Sequence, residues 1–143
     1  MPQISTIVIN DGATTPVAHT FSPIGVDEKG VFWLEQVAPV PTNSLGGKRI
    51  GISLMRPVTA NDLKAARAKA VLSIYEPVLE VTGNSSTGIT PPATKAYELA
   101  SRQTFDLPLR STKQEKKDLR VLSMNLLGNA SVISIIEDLS KAY

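Results

Sequence analysis

Residues 111–143 read STKQEKKDLRVLSMNLLGNASVISIIEDLSKAY, and this stretch decides the fold. Ser111 and Thr112 offer an N-cap, and Glu115 falls in the first turn, where the helix dipole favours an acid. From Leu119 onward Leu122, Met124, Leu126 and Leu127 give a wide apolar stripe, and Gly128-Asn129 stops the helix. A second helix is expected over 131–141, carrying Val132, Ile133, Ile135, Ile136 and Leu139. Together the two helices bear more apolar surface than the strand-rich stretch before them can bury alone. The chain therefore reads as a subunit of an assembly and not as a self-contained enzyme.

Upstream the period changes from helical to alternating. Residues 4–9 are rich in Ile, Val and Thr, Asn10-Asp11-Gly12 is a turn signal, and 17–21 form a second short run, so a β-hairpin is expected within 1–22. Residues 31–36 set Phe32 and Leu34 on one face and Val31, Trp33 and Glu35 on the other. Residues 48–56 repeat the pattern, with Ile50, Ile52 and Leu54 against Arg49, Gly51, Ser53 and Met55. Residues 62–70 have helix propensity and a cap at Asn61. Yet Arg67, Lys69, Val71, Ser73 and Tyr75 alternate with Ala68, Ala70, Leu72 and Ile74, which predicts a strand over 66–76 with one helical turn allowed at its start. A polar loop at 82–93 is too long for a tight hairpin, a length at which loops tend to be functional. Residues 95–107 return as a strand, Tyr97, Leu99, Ser101 and Gln103 on one side and Ala96, Glu98, Ala100 and Arg102 on the other, closed by Pro108. The expectation is an α+β fold in one domain, 1–143: a hairpin, a five-stranded antiparallel sheet across 31–107, and two C-terminal helices over 111–143.

Composition narrows the chemistry. With 42% hydrophobic and 20% charged residues the chain is globular and not disordered. The absence of cysteine removes disulfides, thiol nucleophiles and thiolate metal sites, and the single histidine, His19, in a predicted edge strand, leaves little room for imidazole catalysis. The carboxylates of Asp27, Glu28, Glu35, Glu76, Glu80, Glu98, Asp106, Glu137 and Asp138 are dispersed over separate elements without diagnostic spacing. Gly46-Gly47-Lys48 leads into a strand and lacks the helix start a phosphate cradle uses. No catalytic residue, metal or cofactor is expected. Neither a signal peptide nor a membrane span is apparent, which fits a protein made and used in a cytosol.

A net charge of +2 means that any polyanion site must come from local arrangement. One such arrangement is the sheet face that would present Arg49 and Ser53 beside Arg67, Lys69 and Ser73, with Tyr97 and Ser101 on the next strand. Cations for phosphate, hydroxyls for base edges and a ring for stacking are what single-stranded RNA recognition uses. A merely solvated sheet face is the competing reading, and spacing does not choose between them.

Gly30-Val31 opening a strand, Lys48-Arg49-Ile50-Gly51-Ile52-Ser53, Tyr75-Glu76-Pro77, Tyr97, Leu126-Leu127-Gly128-Asn129, Ile135-Ile136-Glu137-Asp138-Leu139 and a terminal Ala142-Tyr143 occur in an order that resembles the coat proteins of single-stranded RNA bacteriophages, the leviviruses. No one motif is diagnostic, but the likeness spans essentially the whole chain. It implies an intertwined homodimer with a continuous sheet, each subunit's helices packing across the partner. It further implies an icosahedral shell in which the 82–93 loop changes conformation at symmetry axes, and single-stranded genomic RNA against the inward sheet face. Such a protein would reside in the virion, be assembled in the bacterial host cytoplasm, and have neither a membrane nor a small-molecule partner. The alternative is a dimeric nucleic-acid-binding repressor that forms no shell.

Members of that family often also bind an RNA hairpin and repress replicase translation. The matching positions here are Val31, Arg49, Gly51, Ser53, Met55, Arg67, Lys69, Val71, Ser73, Tyr97, Leu99 and Ser101. Gly51 and Val71 stand where a hydroxyl or polar side chain is expected, Ser73 replaces a lysine, Met55 replaces an arginine and Leu99 an amide or acid. The resemblance thus implies weak or altered hairpin recognition, with genome contact kept by Arg49, Arg67 and Lys69.

Overall fold

A computed structural model describes residues 4–57, 66–83, 86 and 88–141. Among the described residues six strands form one sheet in chain order: β1 (Ile7–Asn10), β2 (Ala18–Val26), β3 (Phe32–Ala38), β4 (Arg49–Met55), β5 (Arg67–Leu79) and β6 (Lys95–Pro108). Two helices follow, α1 (Lys113–Leu127) and α2 (Ala130–Glu137). The α+β reading holds, but the sheet has six strands where five were expected, because the hairpin is not separate: β2 pairs antiparallel with β3 from Thr20 to Val26.

The missed half of β2 has a local cause. Ser22-Pro23 reads as a strand end, since proline lacks the ladder N–H. Here the register runs Pro23 opposite Leu34 and Gly25 opposite Trp33, so Ile24 is an extra, bulged residue and the proline is tolerated beside it. In consequence His19 lies on an internal strand and not an edge. Its side chain is mostly buried, with Nε2 3.1 Å from the Asp11 carboxylate.

Chain contacts group the protein into two compact units, Met1–Arg56 with Lys69–Asp106, and Pro57–Ala68 with Leu107–Tyr143. In the first, alternation carries Leu34, Ile50 and Phe21 to one sheet face, where they are buried and flanked by Ile4, Ile7, Phe32 and Ile52. Leu34 faces Ile50 and Phe32 faces Ile52 across β3 and β4, so the core is a cross-strand stack set by register. The other face of these strands is left for function.

In the second unit Thr112 caps α1. Its hydroxyl accepts from the Glu115 N–H at 3.2 Å while the Glu115 carboxylate accepts from the Thr112 N–H at 2.7 Å, a reciprocal capping box that holds the Glu115 carboxyl below its ordinary value. Gly128 closes α1 and Asn129 opens α2 by accepting from the Ser131 N–H, so the two helices turn through 61°. The second helix ends at Glu137, earlier than the expected 141, because Leu139 takes a left-handed backbone (φ +53°). Neither helix contains a buried residue; Leu122, Leu126 and Ile136 are each about 60% exposed. Residues 62–65 of the helix-or-strand segment lie outside the described residues, and β5 is a strand from Arg67 on.

Candidate nucleic-acid interface

Register across β3, β4 and β5 assembles one polar face. Trp33 is opposite Gly51 and Glu35 opposite Arg49; Arg49 is then opposite Tyr75, Gly51 opposite Ser73, Ser53 opposite Val71 and Met55 opposite Lys69. Cross-strand partners share a face, so Arg49, Ser53, Met55, Lys69, Val71 and Ser73 lie together as expected. Val31 joins them, its side chain reaching toward Gly51. Ser73 is buried, and Arg67 opens β5 within the other unit.

Tyr97 and Ser101 do not join this group. Strand β6 brings Arg102 to Tyr75, whose hydroxyl accepts from Nε at 3.2 Å and from Nη2 at 3.0 Å, and Glu98 lines the same hollow as Trp33, Arg49 and Tyr75. With Glu98 and Arg102 on this face, alternation turns Tyr97, Leu99 and Ser101 to the opposite one. The expected grouping of Tyr97 and Ser101 with Arg49 is corrected accordingly.

What sequence reasoning missed is an aromatic centre. The Trp33 and Tyr75 rings lie 5.8 Å apart at 38°, and the Arg102 guanidinium sits 5.6 Å from the Tyr75 centroid. Gly51 makes this possible, because a Cβ there would come within 3.1 Å of the Trp33 ring. The ring is also held from its far side. Asp27 accepts from the Trp33 indole N–H, the Val31 N–H and the Lys29 N–H, each at 2.9 Å, and these bonds, the indole first, pull its carboxyl below the ordinary range. A signal existed in the sequence: Trp33, Glu35 and Tyr75 share the parity of Arg49.

Charge around this face is mixed. Arg49 Nη2 is 2.9 Å from Glu35 Oε1 and Glu98 pairs with Lys95, while the Lys48–Glu76 pair, 2.7 Å, falls on the other side by alternation. Ion pairs this exposed contribute little stability, which leaves their members available to an incoming ligand. Among the described residues no group of three His, Cys, Asp or Glu is placed to hold a metal ion, and no single helix is long and apolar enough to cross a membrane.

This sheet, continued by two C-terminal helices, matches a family model described as levivirus coat protein over residues 2–143. The chain belongs to the levivirus coat protein family. Among solved structures it is similar to the virus-like particle of bacteriophage ESE058, at 34% identity and a TM-score of 0.89, covering 99% of this chain and 100% of that one. It is also similar to the virus-like particle of Beihai levi-like virus 21, at 25% identity and a TM-score of 0.81, covering 99% of both chains. The bacteriophage GA capsid protein shares the fold at 16% identity, with a TM-score of 0.63 and 94% of both chains covered. No curated protein matches. As a levivirus coat protein the chain has a structural role, in the capsid of a virion.

Proposed function

We propose that this coat protein dimerises through its C-terminal helices and its edge strand, and that the dimers assemble in the host cytoplasm into an icosahedral shell around single-stranded RNA. The observation that carries the dimer is the absence of any buried residue in α1 and α2 despite their apolar stripes. Burial stabilises at about 25 cal/mol per Å², so a second copy is the natural cover. Strand β6 supports the same reading. It ends the sheet, spans 14 residues and exposes Tyr97 and Leu99, at 57% and 56%, on the face opposite Trp33. A long edge of this kind is a template for pairing with another chain, and a pair of β6 strands would continue the sheet across the dimer. Under this reading Tyr97 and Ser101 meet the partner, and the two units of each protomer act as one coat domain.

The RNA-facing surface is the Arg49, Ser53, Met55, Lys69, Val71 and Ser73 face with Val31, and Arg67 is a separate RNA contact of the second unit. Arg67 and Lys69 supply phosphate contacts, and Arg49 joins them in holding the genome. Gly51 and Val71 lack the hydrogen-bonding groups with which a hairpin operator would be read, so repression through a specific hairpin is weak or altered in this chain. The assembly reading draws on the matched virus-like particles of bacteriophage ESE058 and Beihai levi-like virus 21. Electron microscopy of the protein expressed alone tests it. Uniform hollow or RNA-filled particles are expected, whereas dimers that never close into particles would favour the repressor alternative.

A further inference from the structure

We propose that the hollow lined by Trp33, Tyr75, Arg49 and Glu35 takes a single unstacked guanine base, stacked on an open ring face. This rests on the reading that the β3–β5 face meets RNA, and goes beyond it by assigning a base and by adding Trp33, Glu35 and Tyr75, which are outside the matched family positions.

The hollow has a volume of about 290 Å³ and is lined by Ile24, Trp33, Glu35, Arg49, Tyr75 and Glu98. That is at the small end of ligand pockets, which run from about 300 to 1,000 Å³, and suits one base better than a whole nucleotide. Its walls are aromatic. Because Trp33 and Tyr75 are tilted at 38° they do not stack flat on each other, and a ring face remains for a base. The surface is also preorganised: Asp27 fixes the indole, Gly51 lets it lie close to β4, and Arg102 holds the Tyr75 hydroxyl.

The polar groups choose the base. Arg49 and Glu35 stand side by side, Nη2 to Oε1 2.9 Å, which places a fork of donors next to a pair of acceptors. Guanine carries the complementary sequence around its edge: N7 and O6 accept, and beyond O6 the N1–H and N2 amino group donate. Arginine on O6 and N7 with glutamate on N1 and N2 therefore satisfies both partners at once. Adenine presents an amino donor where Arg49 also donates, and its N1 is an acceptor facing the carboxylate. Uracil and cytosine have no N7 and a smaller stacking area. A phosphate is disfavoured as the occupant, because Glu35 and Glu98 both line the hollow.

The chain has one tryptophan, so its emission reports this hollow alone. The full-length protein, held below its assembly concentration, is titrated with fluorescently labelled uridine oligomers carrying one central guanosine or one central adenosine. Label anisotropy reads total RNA binding, and Trp33 emission reads the hollow. The guanosine oligomer is expected to quench Trp33 and to bind about tenfold tighter. Glu35→Gln should erase that preference; Trp33→Phe, read by anisotropy, should weaken the guanosine oligomer most. Equal affinities with Trp33 emission unmoved, while anisotropy still shows binding, overturn the guanine site and leave the RNA face standing. Absence of any binding by anisotropy overturns both.

Discussion

Trp33 donates its indole N–H to the Asp27 carboxylate at 2.9 Å, so a turn between β2 and β3 holds the largest ring of the β3–β5 face. Asp27 does this as an anion. Its carboxyl is lowered from 3.8 by the Trp33 bond first and by the Val31 and Lys29 N–H groups. The stabilisation is complete above the unfolded value and is lost as pH falls through the lower folded one. Trp33 emission should thus hold constant from neutral pH down to about the ordinary carboxylate range and shift only below it. Asp27→Ala should show the shifted emission already at pH 7. An emission change centred near neutrality would contradict this.

Asp11 organises the first hairpin in the same manner. It accepts from the Val17 N–H at 2.9 Å, from the Ala13 N–H at 3.2 Å and sits 3.1 Å from His19 Nε2, contacts that lower its carboxyl from 3.8 to about 2. A depressed acid contributes stability above its unfolded value, and that contribution disappears as pH drops from 3.8 toward 2. Asp11→Asn should therefore lower the denaturation midpoint at pH 7 and make a much smaller difference near pH 2. Denaturant melts of both proteins at the two pH values give the comparison.

Phosphate contacts are assigned to Arg67 and Lys69. For single strands each neutralised phosphate adds about 0.7 to the magnitude of the slope of log affinity against log salt. The Arg67→Ala, Lys69→Ala double variant should reduce that slope by about 1.4 in a filter-binding titration. An unchanged slope would remove β5 from the RNA face.

The 82–93 segment is given a role in shell contacts and none in dimerisation. Shortening it should leave dimers that sediment normally while particles disappear from electron micrographs. If the shortened protein still closed shells, the loop would have no part in assembly.

Much of the fold was legible because local chemistry and tertiary structure agree. Thr112 with Glu115 marks the start of α1, Gly128-Asn129 separates the helices, and Ile50 and Ile52 identify the covered face of β4. Where the reading failed, a longer-range effect won. Pro23 signals a strand end, yet a bulge at Ile24 carries β2 onward to Val26. Leu139 ends the second helix early through a backbone conformation that its side chain does not advertise. The site was half legible. Parity along β4 and β5 grouped Arg49, Ser53 and Lys69 correctly, but β6 was turned the wrong way. A tyrosine and a serine drew it toward RNA, although Leu99, Phe105 and Leu107 share their parity and mark that side as the apolar one. Trp33 escaped notice because its role depends on Gly51 of the neighbouring strand β4, a pairing that only register reveals.

The central claim is that α1 and α2 cannot satisfy their apolar faces within one copy. Sedimentation velocity of the purified protein at micromolar concentration, with circular dichroism on the same sample, tests it most directly. Folded protein should sediment only as dimers or larger shells, with no folded monomer at any dilution that preserves the helical signal. A compact monomer with native circular dichroism would contradict the account.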